Sequence, residues 1–191
     1  MIRKGDMRKP LWVLLAVLLA IPAVSYAQYN EEQPAKINLR GGLRQPAGSR
    51  MKDQASNWPE FGIDYVIRFD ETQKPQDVVS VLYTGASKNL MDAKLMGLQY
   101  MRYFSDSPEP DKGLYYGAGS GVFLSKARID ETFLRPAVDE SETQFGLSAV
   151  VGYHFGPYWF AEVRYNKLPE LADGVDLSGL SVFLGAKRFL E

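Results

Sequence analysis

From residue 60 to residue 70 the side chains alternate. Phe61, Ile63, Tyr65, Ile67 and Phe69 share one parity, and Glu60, Gly62, Asp64 and Arg68 share the other. A period of two marks a strand whose two faces meet different surroundings. The pattern recurs at 142–155, where Phe145, Leu147, Ala149, Val151, Tyr153 and Phe155 oppose Gln144, Gly146, Ser148, Gly152 and His154. It recurs again at 158–167, with Trp159, Ala161, Val163 and Tyr165 against Glu162, Arg164 and Asn166. In a water-soluble sheet the apolar parity would form the interior. Here the polar parity is a poor surface for bulk water, because it mixes Gly, Ser and isolated charges of both signs. Such a face suits a narrow lumen, and an aromatic-rich face suits lipid.

The N-terminus predicts export. Arg3, Lys4, Arg8 and Lys9 precede an apolar run from Leu11 to Ala20, Pro22 breaks it, and Ser25-Tyr26-Ala27 offers small residues before Gln28. This is the layout of a cleaved signal peptide over 1–27. The competing reading, an anchor helix, needs a longer apolar run. Four basic residues and one acid leave with the signal, so 22 basic against 23 acidic becomes 18 against 22 in the remaining 164 residues. No basic tract is left, which argues against nucleic acid as a partner. There is no cysteine, which excludes disulfide staples and thiolate metal sites. After Ala27 no stretch of about 18 apolar residues occurs, so helices do not span a bilayer. A spanning structure must then be a closed barrel, because lipid cannot satisfy a free sheet edge.

Eight strands are expected, at about 35–42, 60–70, 76–86, 92–104, 113–125, 142–155, 158–167 and 179–189. Together they predict an all-β fold, an eight-stranded antiparallel up-and-down transmembrane barrel over 35–191, after a short lead-in at 28–34. In 92–104, Lys94 and Arg102 share a parity that Gln99 lacks, and a β-bulge would repair the mismatch. Phe155-Gly156-Pro157-Tyr158 reads as a tight turn. The segments 43–59 and 126–141 read as long polar connections. With the N-terminus periplasmic, these two connections fall on the extracellular side, where barrels carry their longer loops. The segment 105–112 is then a long connection for the periplasmic side.

Several constellations invite a chemical reading. Gly117-Ala118-Gly119-Ser120-Gly121 has glycines at alternate positions, but Val122 stands where a nucleotide loop needs its third glycine, and no helix pattern follows. The run is better read as a strand face that makes room for bulky inward neighbours. His154 is the only histidine. It is a possible general base, but beside the turn at 156–157 it reads as an interfacial or lumenal polar group. The inward parity carries Lys36, Asn38 and Arg40 on strand one, Asp64 and Arg68 on strand two, and Glu162 and Arg164 on strand seven. An eight-stranded lumen is just wide enough for side chains, and buried charges must pair. These groups therefore predict a salt-bridged plug rather than a pore. Tyr100, Tyr103, Phe104, Tyr115, Tyr116, Tyr153, Tyr158, Trp159 and Phe160 lie near strand ends and read as aromatic girdles. No residue is assigned a catalytic, cofactor-binding or metal-ligating role.

The run Leu114-Tyr115-Tyr116-Gly117-Ala118-Gly119-Ser120-Gly121, and the stretch from Phe160-Ala161-Glu162-Val163-Arg164-Tyr165-Asn166 to Phe189, resemble the small outer-membrane barrel family. That family includes the OmpA transmembrane domain and OmpX-like proteins, and the resemblance covers 35–189 by pattern. It implies a non-enzymatic integral outer-membrane protein with an envelope-structural or loop-mediated binding role. It also implies contact with outer-membrane lipids and with the barrel-assembly machinery, and it leaves the extracellular ligand unspecified. Members usually end in an aromatic residue; here Phe189 is followed by Leu190-Glu191. An alternative is a lipid-modifying enzyme resembling the lipid A deacylase PagL. That family carries a His-x-Ser pair on a late strand, where this chain has Arg164-Tyr165-Asn166. A second alternative, a soluble periplasmic lipocalin-like barrel, requires the apolar parity to face inward.

Overall fold

The computed structural model describes residues 36–71, 73–88, 91–109, 112–130, 137–171 and 175–188. The expected signal peptide, the lead-in and the terminal aromatic Phe189 lie outside them. Eight strands follow one another: β1 (Ile37–Pro46), β2 (Trp58–Phe69), β3 (Pro75–Lys88), β4 (Met91–Ser105), β5 (Lys112–Ile129), β6 (Val138–Phe155), β7 (Trp159–Lys167) and β8 (Gly179–Arg188). Each pairs antiparallel with the next, and β8 pairs with β1, so the sheet closes into a barrel. The expected fold class is the observed one.

The parity of the sequence sorts the two faces. Ile63, Leu98, Phe145, Val151 and Val182 are each more than half exposed on the outer wall, while Arg40, Arg44, Glu60, Asp64, Glu162 and Arg164 are at most 3% exposed inside. This is the inverse of a soluble barrel and removes the lipocalin-like alternative. On β5 the outward positions from Leu114 to Leu124 carry no charge, and on β6 the same holds from Phe145 to Phe155. Ten residue steps at ~3.4 Å and a tilt of ~40° give about 26 Å along the barrel axis, close to the ~25 Å apolar band of outer-membrane barrels.

The turn end of the barrel holds the compact connection at Gly156-Pro157, where Gly156 adopts φ +135°, a region that favours glycine. The loop end differs from expectation. β1 runs on to Pro46, and a short helix, α1 (Ser49–Gln54), fills much of the connection read as 43–59. β5 and β6 continue to Ile129 and from Val138, so most of 126–141 is strand. Polar residues there masked a strand pair that stands clear of the lipid band. Six helical residues are marginal alone; α1 is held by the fully buried Met51, next to Trp58, whose indole N–H donates to the Ala55 carbonyl at 3.0 Å.

Two registers correct the sequence reading. β4 pairs with β3 and β5 without interruption, so the bulge expected in 92–104 is absent. Gln99 points inward, and Lys94 and Arg102 lie on the outer wall toward opposite ends of β4. The irregularity lies instead between Val66 and Phe69 in the β2–β3 pairing. It turns Arg68 out to solvent and lets Phe69 pack beside Val66 and Val78. Arg68, expected in the lumen, is therefore not part of it.

Candidate functional site

The lumen is filled in three layers. At the loop end, Met51, Trp58, Leu95, Phe123, Leu168 and Leu177 belong to one buried apolar cluster. Leu168, Leu171, Val175 and Leu177, between β7 and β8, are buried in it, tied by the Leu168 N–H to Ser178 Oγ at 2.9 Å and by the Ala47 N–H to the Ser178 carbonyl at 2.7 Å. Just beneath, Arg44 pairs with Glu60 at 3.3 Å and donates to the Leu177 carbonyl at 2.5 Å, and Ser181 donates to Glu60 at 2.8 Å.

The middle layer is a continuous polar network. Arg40 is bonded to Asp64, donates to Ser80 Oγ at 2.7 Å, and lies 3.6 Å from Glu162. Its guanidinium also sits 5.1 Å from the centre of the Phe183 ring. Arg164 pairs with Glu162 at 3.0 Å and donates to Ser80 and Gln99, both at 3.1 Å, and to Tyr103 Oη at 2.9 Å. Tyr115 donates to Glu162 at 3.1 Å; Gln99 donates to Ser148 at 3.0 Å and to Asn166 at 2.9 Å. Two arginines face two carboxylates, so the network is neutral. Charge pairing across the barrel offsets desolvation that isolated ions could not survive.

The turn-end layer is aromatic. Tyr103, Tyr115 and Phe160 are buried with Val66, Val78, Met101 and Val150. The reading of these three aromatics as girdle residues was wrong: their parity is that of Gln99 and Glu162, and proximity to a strand end misled. Tyr100, Phe104, Tyr116 and Tyr153 do face outward. His154 is buried, stacked on Tyr115 with 4.4 Å between ring centres and edge-on to Phe160 at 5.9 Å. Beside it a small vestibule lined by Asn38, Lys74, Tyr115, His154 and Glu162 leaves about 20 Å³, room for one water. Lys74 is buried there, donating to Ser105 Oγ at 3.3 Å and to the Ser107 carbonyl. Lys36, expected inside, sits exposed where the chain enters β1.

Gly117, Gly119 and Gly121 of β5 face inward, as expected. A Cβ on Gly119 would lie 2.6 Å from the Met101 sulfur, and one on Gly117 would lie 2.8 Å from the Tyr103 ring. Small residues on one strand thus admit large ones from the next. Sequence reasoning placed Asn38, Arg40, Asp64, Glu162 and Arg164 in the lumen correctly. It missed Arg44, Ser80 and Tyr103 as network members, though each continues an inward parity. On β7 Glu162 and Arg164 point into the lumen, while Val163 and Tyr165 meet the outside. Among the described residues, no group of three His, Cys, Asp or Glu side chains converges as a metal site would require.

At the loop end, β6 pairs with β7 only from Leu147 to His154, although it pairs with β5 from Val138 onward. Residues 138–146 of β6 and Gly85–Lys88 of β3 therefore border a sheet that stands above the rest of the wall. Gln144 donates to the Pro169 carbonyl at 3.1 Å. Residues 139–143 are exposed and include Asp139, Glu140 and Glu142.

No family model matches the sequence, and no curated protein is similar to it. Solved structures do share its fold. The N-terminal β-barrel domain of Pseudomonas aeruginosa OprF aligns with a TM-score of 0.57 at 13% identity, over 81% of this chain and 96% of that one. Neisserial surface protein A aligns with a TM-score of 0.53 at 16% identity, over 81% and 96%. Ail, the attachment invasion locus protein of Yersinia pestis, aligns with a TM-score of 0.55 at 15% identity, over 82% and 100%. Ail in complex with the heparin analogue sucrose octasulfate aligns with a TM-score of 0.51. With its closed eight-strand order, apolar outer wall and packed lumen, this chain has the fold of the small outer-membrane β-barrels.

Proposed function

We propose that the protein is an integral outer-membrane barrel that acts without catalysis, as an envelope component whose loop end binds partners outside the cell. The carrying observation is the contrast between its parts. The wall is a continuous apolar belt, the lumen is closed by three packed layers, and the raised β3–β6 sheet ends in an exposed strand border at 139–143. Among the described residues that border has no ladder partner, and a free strand edge can accept another strand. Binding residues concentrate in loops carried on a rigid scaffold. Ail, of the same fold, has been captured with a heparin analogue. In this chain the strand border itself carries Asp139, Glu140 and Glu142, so a strand that adds to it is best matched by basic side chains, whereas Lys88, Lys94, Lys126 and Arg128 lie on the neighbouring strands.

The enzyme alternative needs a nucleophile and a base where they can reach a lipid ester. On β7 Glu162, Arg164 and Asn166 are turned inward, and His154 is enclosed between Tyr115 and Phe160. Carbonate extraction of cell envelopes tests the membrane reading: the protein should stay in the pellet and show heat-modifiable gel mobility. Mass spectrometry of lipid A from cells with and without the protein tests the rest. Loss of an acyl chain that depends on His154 would refute the non-catalytic role.

A further inference from the structure

The outer wall carries one charge arrangement that the lumen and the strand border leave unexplained. The register places Lys94 of β4 directly opposite Lys126 of β5, in an outward row with Gly85 of β3 and Ser141 of β6. Like charges directly opposite one another destabilise a sheet. Lys94 has Asp92 at 3.7 Å, and its side chain stays 55% exposed. Lys126 has no carboxylate within 4 Å among the described residues. The next outward row holds Asp92, Arg128 and Asp139, with Arg128 also 3.7 Å from Asp130, so that row meets its own needs.

Two further observations identify what the lysine pair faces. One row nearer the barrel's middle the outward residues are Tyr83, Met96 and Leu124, followed by Val81, Leu98 and Val122. The ammonium groups therefore stand on the edge of the apolar belt, at headgroup depth. Beside Lys94 the absence of a side chain at Gly85 opens a groove of about 230 Å³, with Phe61, Tyr83 and Ala86 as its apolar lining and Ser87, Asp92 and Lys94 as polar members. An anion attached to an apolar body matches both halves of this surface.

We infer that Lys94 and Lys126 form a clamp for the phosphate of a membrane amphiphile, whose acyl chains lie along Met96, Leu98, Val122 and Leu124 and whose headgroup reaches the groove beside Gly85. The inference rests on the outer-membrane reading above, because it requires the belt to be in lipid. Compact ammonium groups suit phosphate as point charges, and the clamp relieves the repulsion between the two lysines.

The test uses native mass spectrometry of the full-length protein released from phosphatidylcholine nanodiscs doped with bisphosphorylated lipid A or with its dephosphorylated form. Wild-type protein should retain the phosphorylated lipid preferentially. The double variant Lys94→Gln/Lys126→Gln should retain it about 30-fold less, equivalent to about 2 kcal/mol for two lysines at the membrane surface. Lys94→Arg/Lys126→Arg should keep it, and Lys112→Gln at the turn end should change nothing. Heat-modifiable mobility confirms that each variant folds. Equal retention of both lipids by inserted wild-type barrel overturns the clamp alone. Displacement of the lipid by millimolar inorganic phosphate overturns the amphiphile as ligand. Failure of the wild type to insert overturns the clamp together with the membrane reading.

Discussion

Replacing Arg164 with Met separates charge pairing from hydrogen bonding inside the lumen. Arg164 is fully buried and serves Glu162 at 3.0 Å, Ser80 and Gln99 at 3.1 Å, and Tyr103 at 2.9 Å. In the variant, two buried carboxylates share Arg40 alone. Removing one partner of a buried ion pair costs about 3–5 kcal/mol. Part of that, about 1–3 kcal/mol, is the loss of neutral partners for Gln99 and Tyr103. The double variant Arg164→Met/Glu162→Gln loses those bonds too but restores neutrality, with Arg40 facing Asp64. It should therefore be more stable than Arg164→Met by about 2 kcal/mol, the charge share of the cost. The assay is equilibrium unfolding by guanidinium in lipid vesicles, with gel mobility as the folded signal. If Glu162→Gln adds its own cost to that of Arg164→Met instead of offsetting it, the two side chains are not a coupled pair and the plug reasoning fails.

Three more outcomes follow from the same geometry. Ile63→Arg puts a charge on the lipid face and should cost about 2–4 kcal/mol near the midplane, measured by vesicle folding titrations; normal folding would contradict the assigned parity. Gly119→Leu should destabilise by about 3 kcal/mol or more, because its Cβ would press on the Tyr100 backbone carbonyl as well as on Met101, whereas Ala118→Leu, one residue away and outward, should be nearly neutral in the same unfolding series. Planar-bilayer recording of purified protein should show no stable conductance, because apolar, ionic and aromatic layers each close the lumen; a steady porin-sized current would reject the closed lumen.

Most of the fold was legible because a strand writes its two faces into the sequence directly. The parity that sends Ile63 and Val163 outward and Asp64 and Glu162 inward is a local property. It survives in every strand whose two environments differ sharply. The same locality explains the errors. Above the lipid band the alternation continues on β5 but with its outer face wet, Lys126 and Arg128 exposed against buried Ala127 and Ile129, so a segment rich in charge reads as a loop; at 139–143 both faces are exposed and no alternation marks the strand. Tyr103 and Tyr115 were assigned by distance from a strand end, although their parity already placed them inside. Arg68 looked inward until the irregularity after Val66 turned it out, and a bulge of this kind leaves no dependable mark in the sequence.

By itself, then, the sequence determined the all-β barrel class and the sidedness of most strand residues, since each depends on a period of two and on what lipid forbids; the count of eight and the strand ends are fixed by the closed pairing. Only the tertiary structure decided which inward groups meet. Arg164 reaches Tyr103 on β4 and Glu162 on its own strand, and Lys94 stands opposite Lys126, because strand register brings those positions together. Register is set by the closure of the whole sheet, so no single segment of the chain contains it.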